Sequence, residues 1–297
     1  MLKTYSNKTV SLMNKSFWCI VFLGSFTFFF HEGPSGITRA EESSEPIYFF
    51  SINHEGLAVE VWFNDVRIDS DPDGYFQNRR FANNLFVING ENRLRITIDL
   101  PKEQNKPENL NLTAGFHVVL EDVLELPEPI AELNFSGEDG SSFPAEIETS
   151  FEILSPFEEW LWETAREINI NDPKIVEGSV SVLSSLHDAM SSRDITKVMD
   201  LLSVRTREMS HAYYSCEEEA IVDQRTLFQD LFNDPQFNLE PLEPENLRFI
   251  PMANNRMIYI EQKDGSSALE TKELSEGFIF SLPIYLCKIG EEFIVVR

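Results

Sequence analysis

The chain has few basic residues for its size. Its 297 residues include 24 lysines and arginines against 50 aspartates and glutamates, which gives a formal net charge of −26 at pH 7. A protein that binds nucleic acid needs a basic face to displace counterions from the phosphates, so this deficit argues against a nucleic-acid partner. It predicts either a highly soluble surface or electrostatic attraction to a basic protein, and composition alone does not separate these two interpretations.

Familiar catalytic motifs are also lacking. The sequence has no Gly-x-Ser-x-Gly elbow, no phosphate-binding glycine loop, no paired-cysteine zinc pattern and no His-Glu-x-x-His helix. These absences favour a protein that is not an enzyme, and they give no reason to expect a cofactor.

Long apolar runs are scarce, and the longest covers residues 17–30. It follows Lys3, Lys8 and Lys15 and precedes small and polar residues that include a small-x-small site ending at Ala40. This order is typical of a secretory signal peptide, and about 14 apolar residues are fewer than the roughly 20 that span a bilayer. We therefore predict a signal peptide and processing region over residues 1–40, with an uncleaved anchor as the alternative. The mature chain is expected to be exported, periplasmic or extracellular, without a transmembrane segment.

Cysteine is rare as well, and only Cys216 and Cys287 remain beyond the predicted signal peptide. In an exported protein such a pair is a candidate disulfide, and two buried thiols are the alternative. Cys216 is predicted near a helix N-terminus, where a thiol can become reactive. The glutamates that follow it at positions 217–219 oppose formation of the thiolate, so a catalytic role is disfavoured.

The first half of the sequence is punctuated by turns and has the pattern of short strands. Residues 93–99 alternate polar and apolar side chains, and turn sequences occur at 53–56, 71–74 and 89–90. Strands are predicted at residues 47–52, 57–63, 85–88, 94–98, 115–120, 130–135 and 145–151. This spacing indicates an antiparallel β-sandwich over residues 46–153.

A helical linker is predicted next, over residues 154–172. Ser155 and Glu158 form a capping box with proline in the first turn, and Trp160 and Trp162 follow on the same short helix. Two tryptophans between domains are expected to anchor an interface, and stacking on a ligand is the alternative.

Residues 173–297 are predicted to contain three helices, at about 172–190, 194–202 and 215–232, followed by about four antiparallel strands. This order, the helix end at 186–190 and a closing hairpin over 278–297 resemble the nuclear-transport-factor-two-like, or cystatin-like, cone fold. The resemblance implies an α+β domain in which helices pack on a curved sheet around a pocket. That fold serves both enzymes and binding modules, so it does not fix a function.

The resemblance makes His187 and Asp188 weak candidates for a general base, because enzymes of this fold carry an inward His or Asp near the pocket. Tyr213, Tyr214 and Tyr285 are candidate hydrogen-bond donors to the same pocket. The alternative for His187 is a structural histidine at a helix end, where the helix dipole favours its charge.

One loop has the beginning of a calcium-binding pattern. Asp69, Asp71 and Asp73 alternate and are followed by Gly74, as in a calcium loop. The position that should supply a bidentate glutamate is Arg80, however, and a simple Pro-Asp-Gly turn explains the same residues. Calcium is therefore the weaker interpretation.

Together these features predict an exported, non-enzymatic protein that binds a macromolecular partner, expected to be a basic protein, through an acidic surface. A neutralising protein of the immunity or inhibitor type is the most specific version, with Glu217, Glu218 and Glu219 as one candidate surface. One alternative is a small-molecule-binding or isomerase-like protein that uses the C-terminal pocket. Another is carbohydrate binding by the predicted β-sandwich through Trp62, Tyr75 and Phe76.

Overall fold

The computed structural model describes residues 45–74, 78–101, 110–120, 126–137 and 142–297. The predicted signal peptide lies outside this range, as do Tyr75 and Phe76. The described chain is mostly β-structure in several antiparallel sheets, with five α-helices. None of the helices in this range is both long and apolar enough to cross a bilayer.

The first eight strands form two four-stranded antiparallel sheets. The strands are β1 Ile47–His54, β2 Ala58–Phe63, β3 Val66–Asp71, β4 Asn78–Ala82, β5 Gly90–Asp99, β6 Asn111–Val119, β7 Ala131–Ser136 and β8 Ala145–Ile153. The strand order is β4-β1-β6-β7 in the first sheet and β3-β2-β5-β8 in the second. Their inward side chains meet in one hydrophobic cluster, where the rings of Phe63 and Phe116 stack with centroids 4.7 Å apart.

Two of these strands, β3 and β4, do not follow from the sequence pattern. Both carry several charged residues, so neither shows the apolar alternation of a half-buried strand. The strand predicted at 85–88 is wrong, because this segment contains the 3-10 helix Asn84–Phe86. Its fully buried Asn84 bonds to Tyr48 N–H and to the carbonyls of Pro46 and Ala212.

The second half contains all five α-helices and a third sheet. The helices are α1 Leu161–Thr164, α2 Pro173–Ser191, α3 Ile195–Leu201, α4 Ser203–Ala212 and α5 Glu217–Asn233. The strands are β9 Leu247–Met252, β10 Met257–Gln262, β11 Leu269–Glu270, β12 Ser281–Leu282, β13 Ile284–Ile289 and β14 Glu292–Val295. Strands β9, β10, β13 and β14 make an antiparallel sheet in the order β14-β13-β10-β9, and β11 pairs with β12.

Three predictions for this half need correction. The linker helix is a single turn, α1. In the closing hairpin predicted over 278–297, the first strand is divided at Pro283 into β12 and β13. An additional helix, α4, lies between the predicted second and third helices. It buries the polar residues Thr206, Glu208 and Ser210, so its sequence lacks the apolar period by which a helix is recognised.

The third sheet is covered on both faces. Along β10, Met257 and Tyr259 pack with the core of the first two sheets, whereas Ile258 and Ile260 pack against the helices. A strand that is buried on both sides has a nearly continuous apolar sequence. The third sheet is therefore a central layer, with the helices on one face and the first two sheets on the other.

Buried ion pairs tie this layer to its neighbours. The carboxylate of Glu261 on β10 is bonded to Arg67 on β3 and to Arg248 on β9. Arg297 is bonded to Glu208 on α4 and donates a 2.9 Å hydrogen bond to the carbonyl oxygen of Leu85. Both carboxylates are buried, so each depends on its arginine for compensation.

We predict that Arg297→Met lowers the free energy of unfolding by about 3–5 kcal/mol, because it leaves Glu208 buried without its counter-ion. Lys288→Met is the matched control, because Lys288 pairs with the exposed Glu291 at 3.2 Å. This substitution should lower the free energy of unfolding by no more than about 1 kcal/mol. Urea unfolding of both variants measures the difference. Equal, small costs would contradict the structural role of the Arg297 pair.

Candidate functional site

The residues predicted to form a C-terminal pocket are not brought together. His187 lies on the helix side, where its Nε2 is 3.1 Å from the carbonyl oxygen of Glu240. Tyr214 and Tyr285 lie on the other side of the third sheet and donate hydrogen bonds to the carbonyls of Pro46 and Arg67, at 3.1 and 3.4 Å. The set therefore does not line a common cavity.

The remaining pocket candidates have similarly local surroundings. Burial raises the pKa of Tyr213, and the residue packs at the edge of the first core. Asp188 is exposed beside His187, whose Nδ1 is 3.9 Å from its Oδ1. Between α2 and the third sheet, the space is occupied by fully buried side chains that include Leu183, Leu186 and Leu286.

The predicted calcium ligands are engaged by protein groups instead. Asp69 accepts a 2.7 Å hydrogen bond from Arg79, and an Asp71 oxygen lies 3.7 Å from Nε2 of buried His54. Asp73 also has a partner within the protein. In the described ranges, no group of three His, Cys, Asp or Glu side chains could hold a metal ion. These carboxylates are therefore engaged within the protein, with Asp69 in an ion pair with Arg79.

The predicted disulfide is absent, since Cys216 and Cys287 are both free thiols. Cys216 is exposed at the start of α5 and its Sγ donates to Glu218, at 2.8 Å. Cys287 is buried on β13, and burial raises its thiol pKa to about 12. Cys216 is in contact with solvent and Cys287 lies in the core. The spacing of the two cysteines in the sequence does not reveal this difference.

The tryptophans at the linker are buried where the two halves meet. Trp160 donates a 2.7 Å hydrogen bond from its indole N–H to the carbonyl oxygen of Val87, and the Arg297 guanidinium lies 5.0 Å from its ring centroid. Trp162 is only 4% exposed, and its indole N–H has no hydrogen-bond partner among the residues that the structure describes. Trp62, the described member of the carbohydrate set, has the Arg95 guanidinium over its ring at 5.1 Å.

A surface that we call the acidic face lies on the second sheet and comprises Glu91, Glu146, Glu148 and Glu152, all exposed. Three of them alternate along the edge strand β8, and Glu91 on β5 lies directly opposite Glu152. Like charges in register across two strands reduce the stability of a sheet. The pair therefore does not stabilise the sheet, and it leaves two carboxylates close together on the exposed surface.

A cleft of about 520 Å³ opens next to the acidic face and shares Glu91 with it. We call it the seam cleft, because residues from both halves line it. Four carboxylates and two guanidinium groups give it an excess of negative charge, and Trp162 forms part of its wall. Its charged residues are Asp65, Glu91, Arg93, Glu159, Glu163 and Arg256.

Two tight turns fix the shape of the seam cleft. Asn64 and Asp65 between β2 and β3 have φ of 51° and 60°, and residues 253–255 between β9 and β10 also have positive φ. The N–H of Ala253 donates to the carbonyl oxygen of Asp65 at 2.8 Å, which joins the two turns. Asn64 is further held by the side chain of buried Asn92 at 2.8 Å.

The carboxylates of the seam cleft differ in how far they are engaged. Asp65 is bonded to Arg93. Glu163 accepts a 2.7 Å hydrogen bond from the N–H of Trp160, and burial raises its pKa against the opposing effect of Arg256. Within the described residues, Glu91 and Glu159 have no hydrogen bond or ion pair, so they remain available to a ligand.

Sequence reasoning missed the seam cleft. Its residues come from four separate segments, 64–65, 88–93, 159–163 and 253–256, and no one of these segments has a motif that predicts a binding site. The asparagine-rich turns at 64–65 and 254–255 carry the only local signal, since Asn and Asp adopt positive φ more readily than most residues.

His54 and Asp69 lie close to Arg79 in a buried cluster of charged and titratable side chains. Their pKa values predict opposite pH dependences of stability when each is replaced. Burial, assisted by Arg79, lowers the pKa of His54 from 6.5 to about 4. Unfolding therefore takes up a proton between these pH values, and this contribution lowers stability on acidification. Burial raises the pKa of Asp69 from 3.8 to about 6. The folded state therefore binds this proton more tightly than the unfolded state, and this contribution raises stability as the pH falls from about 6 to about 4.

We predict that His54→Asn gains stability relative to wild type, by about 3 kcal/mol, when the pH falls from about 6.5 to about 4. Asp69→Asn should lose a similar amount relative to wild type between about pH 6 and pH 4. Urea unfolding at several pH values measures both differences. If the free energies of unfolding of the two variants changed with pH in parallel, these groups would not titrate as described.

Comparison with known proteins gives no family for this chain. No family model, no curated protein and no solved structure matches it. The function is therefore argued from the geometry and charge of the site.

Proposed function

We propose that this protein is an exported, non-enzymatic binding protein that attaches to a basic protein through the acidic face. A neutralising protein of the immunity or inhibitor type is the specific form. The observation that carries the proposal is the placement of Glu91 and Glu152 opposite each other, beside Glu146 and Glu148. Their mutual repulsion is relieved when a cationic surface binds.

The distribution of cations supports the same function. Arg93 and Arg95 are the basic residues on this part of β5, and both are paired with carboxylates of the protein: Arg93 with Asp65 and, at 3.9 Å, with Glu148, and Arg95 with Glu146. These pairs leave Glu91 and Glu152 without an arginine partner among the described residues. A cationic partner is the complement to such a surface.

The surroundings of the predicted catalytic candidates also favour binding over chemistry. Asp188 is exposed to solvent, whereas a general base works best when shielded near its substrate. His187 is largely buried, and its Nε2 lies 3.1 Å from the carbonyl oxygen of Glu240 rather than in an open cavity.

The proposal includes a finer description of the architecture. The first two sheets would be a β-sandwich domain over residues 46–153, joined through residues 154–172 to an α+β domain over 173–297. The long helix α2 packed on an antiparallel sheet supports a cone-like fold of the nuclear-transport-factor-two-like or cystatin-like kind. Export rests on the apolar run at 17–30 and its preceding lysines.

Two triple variants with the same change in charge test the acidic face. We predict that E146Q/E148Q/E152Q weakens binding of a decalysine peptide roughly tenfold at about 10 mM NaCl, because three favourable charges are removed. The matched variant E217Q/E218Q/E219Q, on the exposed first turn of α5, should change the affinity by less than about twofold. Isothermal titration of the mature chain measures both.

The salt dependence and the control decide the outcome. Binding to wild type should be largely lost at about 300 mM NaCl, where exposed charges are screened. Equal weakening by both triple variants would mean that net charge acts without a site, and would overturn the proposal. If only the α5 variant weakened binding, the binding surface would be assigned to residues 217–219 instead of the acidic face.

A further inference from the structure

The second sheet ends, on the side of the acidic face, in a strand with an unpaired edge. Among the described strands, β8 pairs only with β5, at the end of the order β3-β2-β5-β8. It has nine residues, more than any other edge strand of the described sheets, and its register with β5 is continuous from Gly90 opposite Ile153 to Ile98 opposite Ala145. An unpaired edge of this length is a template for a further strand.

The ladder between the strands identifies the backbone groups at the free edge. The N–H of Asn64, directly after β2, donates to the carbonyl oxygen of Arg93 at 2.9 Å, so Arg93 directs its backbone groups toward β2. Because this direction alternates along a strand, the even-numbered residues of β5 bond to β8, and their partners there are odd-numbered. No hydrogen bond joins the remaining backbone groups of β8 to another described segment. These groups belong to the exposed residues of the strand, Glu146, Glu148, Ser150 and Glu152.

The inner side of β8 is also incompletely covered. Ala145, Ile147 and Phe151 pack against the first hydrophobic cluster but are only partly buried. The inward residues of the neighbouring strand β5, such as Leu94 and Ile96, are fully buried, because β5 has a strand on each side. An added strand with apolar residues on its inner side would remove the remaining apolar surface of β8 from water.

The outward side of β8 selects the charge of the added strand. Three of its four residues are the exposed Glu146, Glu148 and Glu152. Side chains opposite each other on neighbouring strands lie about 4.5–5.5 Å apart, so a second copy of β8 would place glutamate against glutamate. A strand with lysine or arginine on its outward side meets opposite charge at the same distance. Proline, a bulge or an inward charge, which protect many sheet edges, are absent from β8.

We propose that the basic partner adds a β-strand to the free edge of β8, with cationic side chains beside the glutamates and apolar side chains beside Ile147 and Phe151. The inference rests on the proposed function and specifies how the partner binds, through an extended segment in which basic and apolar residues alternate. Backbone hydrogen bonds supply affinity in this mode of recognition, and the alternating side chains supply specificity. Leu154, directly after β8, is 92% exposed and offers an apolar contact at the end of the strand.

Amide hydrogen exchange in β8 distinguishes strand addition from attachment by charge alone. The probe is a blocked octapeptide of alternating lysine and valine, at saturating concentration in about 10 mM NaCl. We expect exchange of the four edge amides, those of Glu146, Glu148, Ser150 and Glu152, to slow at least about tenfold because they gain acceptors. The amides of Ile147 and Phe151, already bonded to β5, should slow less. The same peptide with every backbone amide N-methylated keeps its charge and should leave the edge amides unprotected.

Ser150→Pro and Ser150→Ala form a matched pair of variants at the free edge. Proline removes one N–H from this edge, where no ladder hydrogen bond within the protein is lost, whereas alanine keeps the N–H. S150P should weaken binding of the alternating peptide roughly tenfold, and S150A by less than about twofold. The exchange experiment uses the wild-type chain, so it decides the inference even if S150P does not fold.

Each outcome of the exchange experiment has a definite meaning. Protection of the four edge amides by the alternating peptide, and not by its N-methylated form, supports strand addition. Unchanged exchange at these amides, whether or not the peptide binds, or equal protection by both peptides, overturns the inference. Protection that appears without peptide as the protein concentration rises would assign the edge to a second copy and overturn the inference as well.

The inference and the proposed function fail in different ways. If E146Q/E148Q/E152Q still weakens decalysine binding while the alternating peptide leaves the edge amides unprotected, only the inference fails. If decalysine binding is also independent of the acidic face, the proposed function fails with it.

Discussion

Two arginines hold the halves of this molecule together. Arg67 on the second sheet is bonded to the buried Glu261 on the third, and Arg297, whose charge is compensated by buried Glu208 on α4, donates a hydrogen bond to the carbonyl oxygen of Leu85. A carboxylate buried without compensation is strongly destabilising, so separation of the halves would take from Glu261 one of its two arginines and would break the hydrogen bond to Leu85. The continuous hydrophobic cluster, which includes Met257 and Cys287 of the third sheet, reinforces the same junction.

This junction creates the candidate site as a consequence. The turn at 64–65 meets the turn at 253–255 because β3 and β10 are joined by the Arg67 pair, and the cleft opens beside that contact. The acidic face extends from the cleft along β5 and β8. The surface therefore carries an excess of negative charge, and the two joined turns give one end of it a definite shape.

Local patterns were enough to predict many elements but not their environments. The capping residue Asp172 and the following proline predict the start of α2, which begins at Pro173. Its buried residues are Ile175, Ser179, Leu183, Leu186, Ala189 and Met190, and the polar Ser179 among them shows that apolar spacing alone does not define this face. Helix α4 escaped prediction because it buries the polar residues Thr206, Glu208 and Ser210. The partners that compensate Glu208, Leu161 N–H and Arg297, come from distant parts of the chain.

The sequence by itself determined the acidity, the β-rich first half, the main helices of the second half and the scarcity of catalytic motifs, since these depend on composition and on contacts between near neighbours. Only the tertiary structure decided that Cys216 and Cys287 stay apart, that Tyr213 and Tyr285 face away from His187, and that Trp162 borders a charged cleft. Each of these depends on which face of an element another element covers, and that choice is made by packing and by buried charge compensation between residues far apart in the chain.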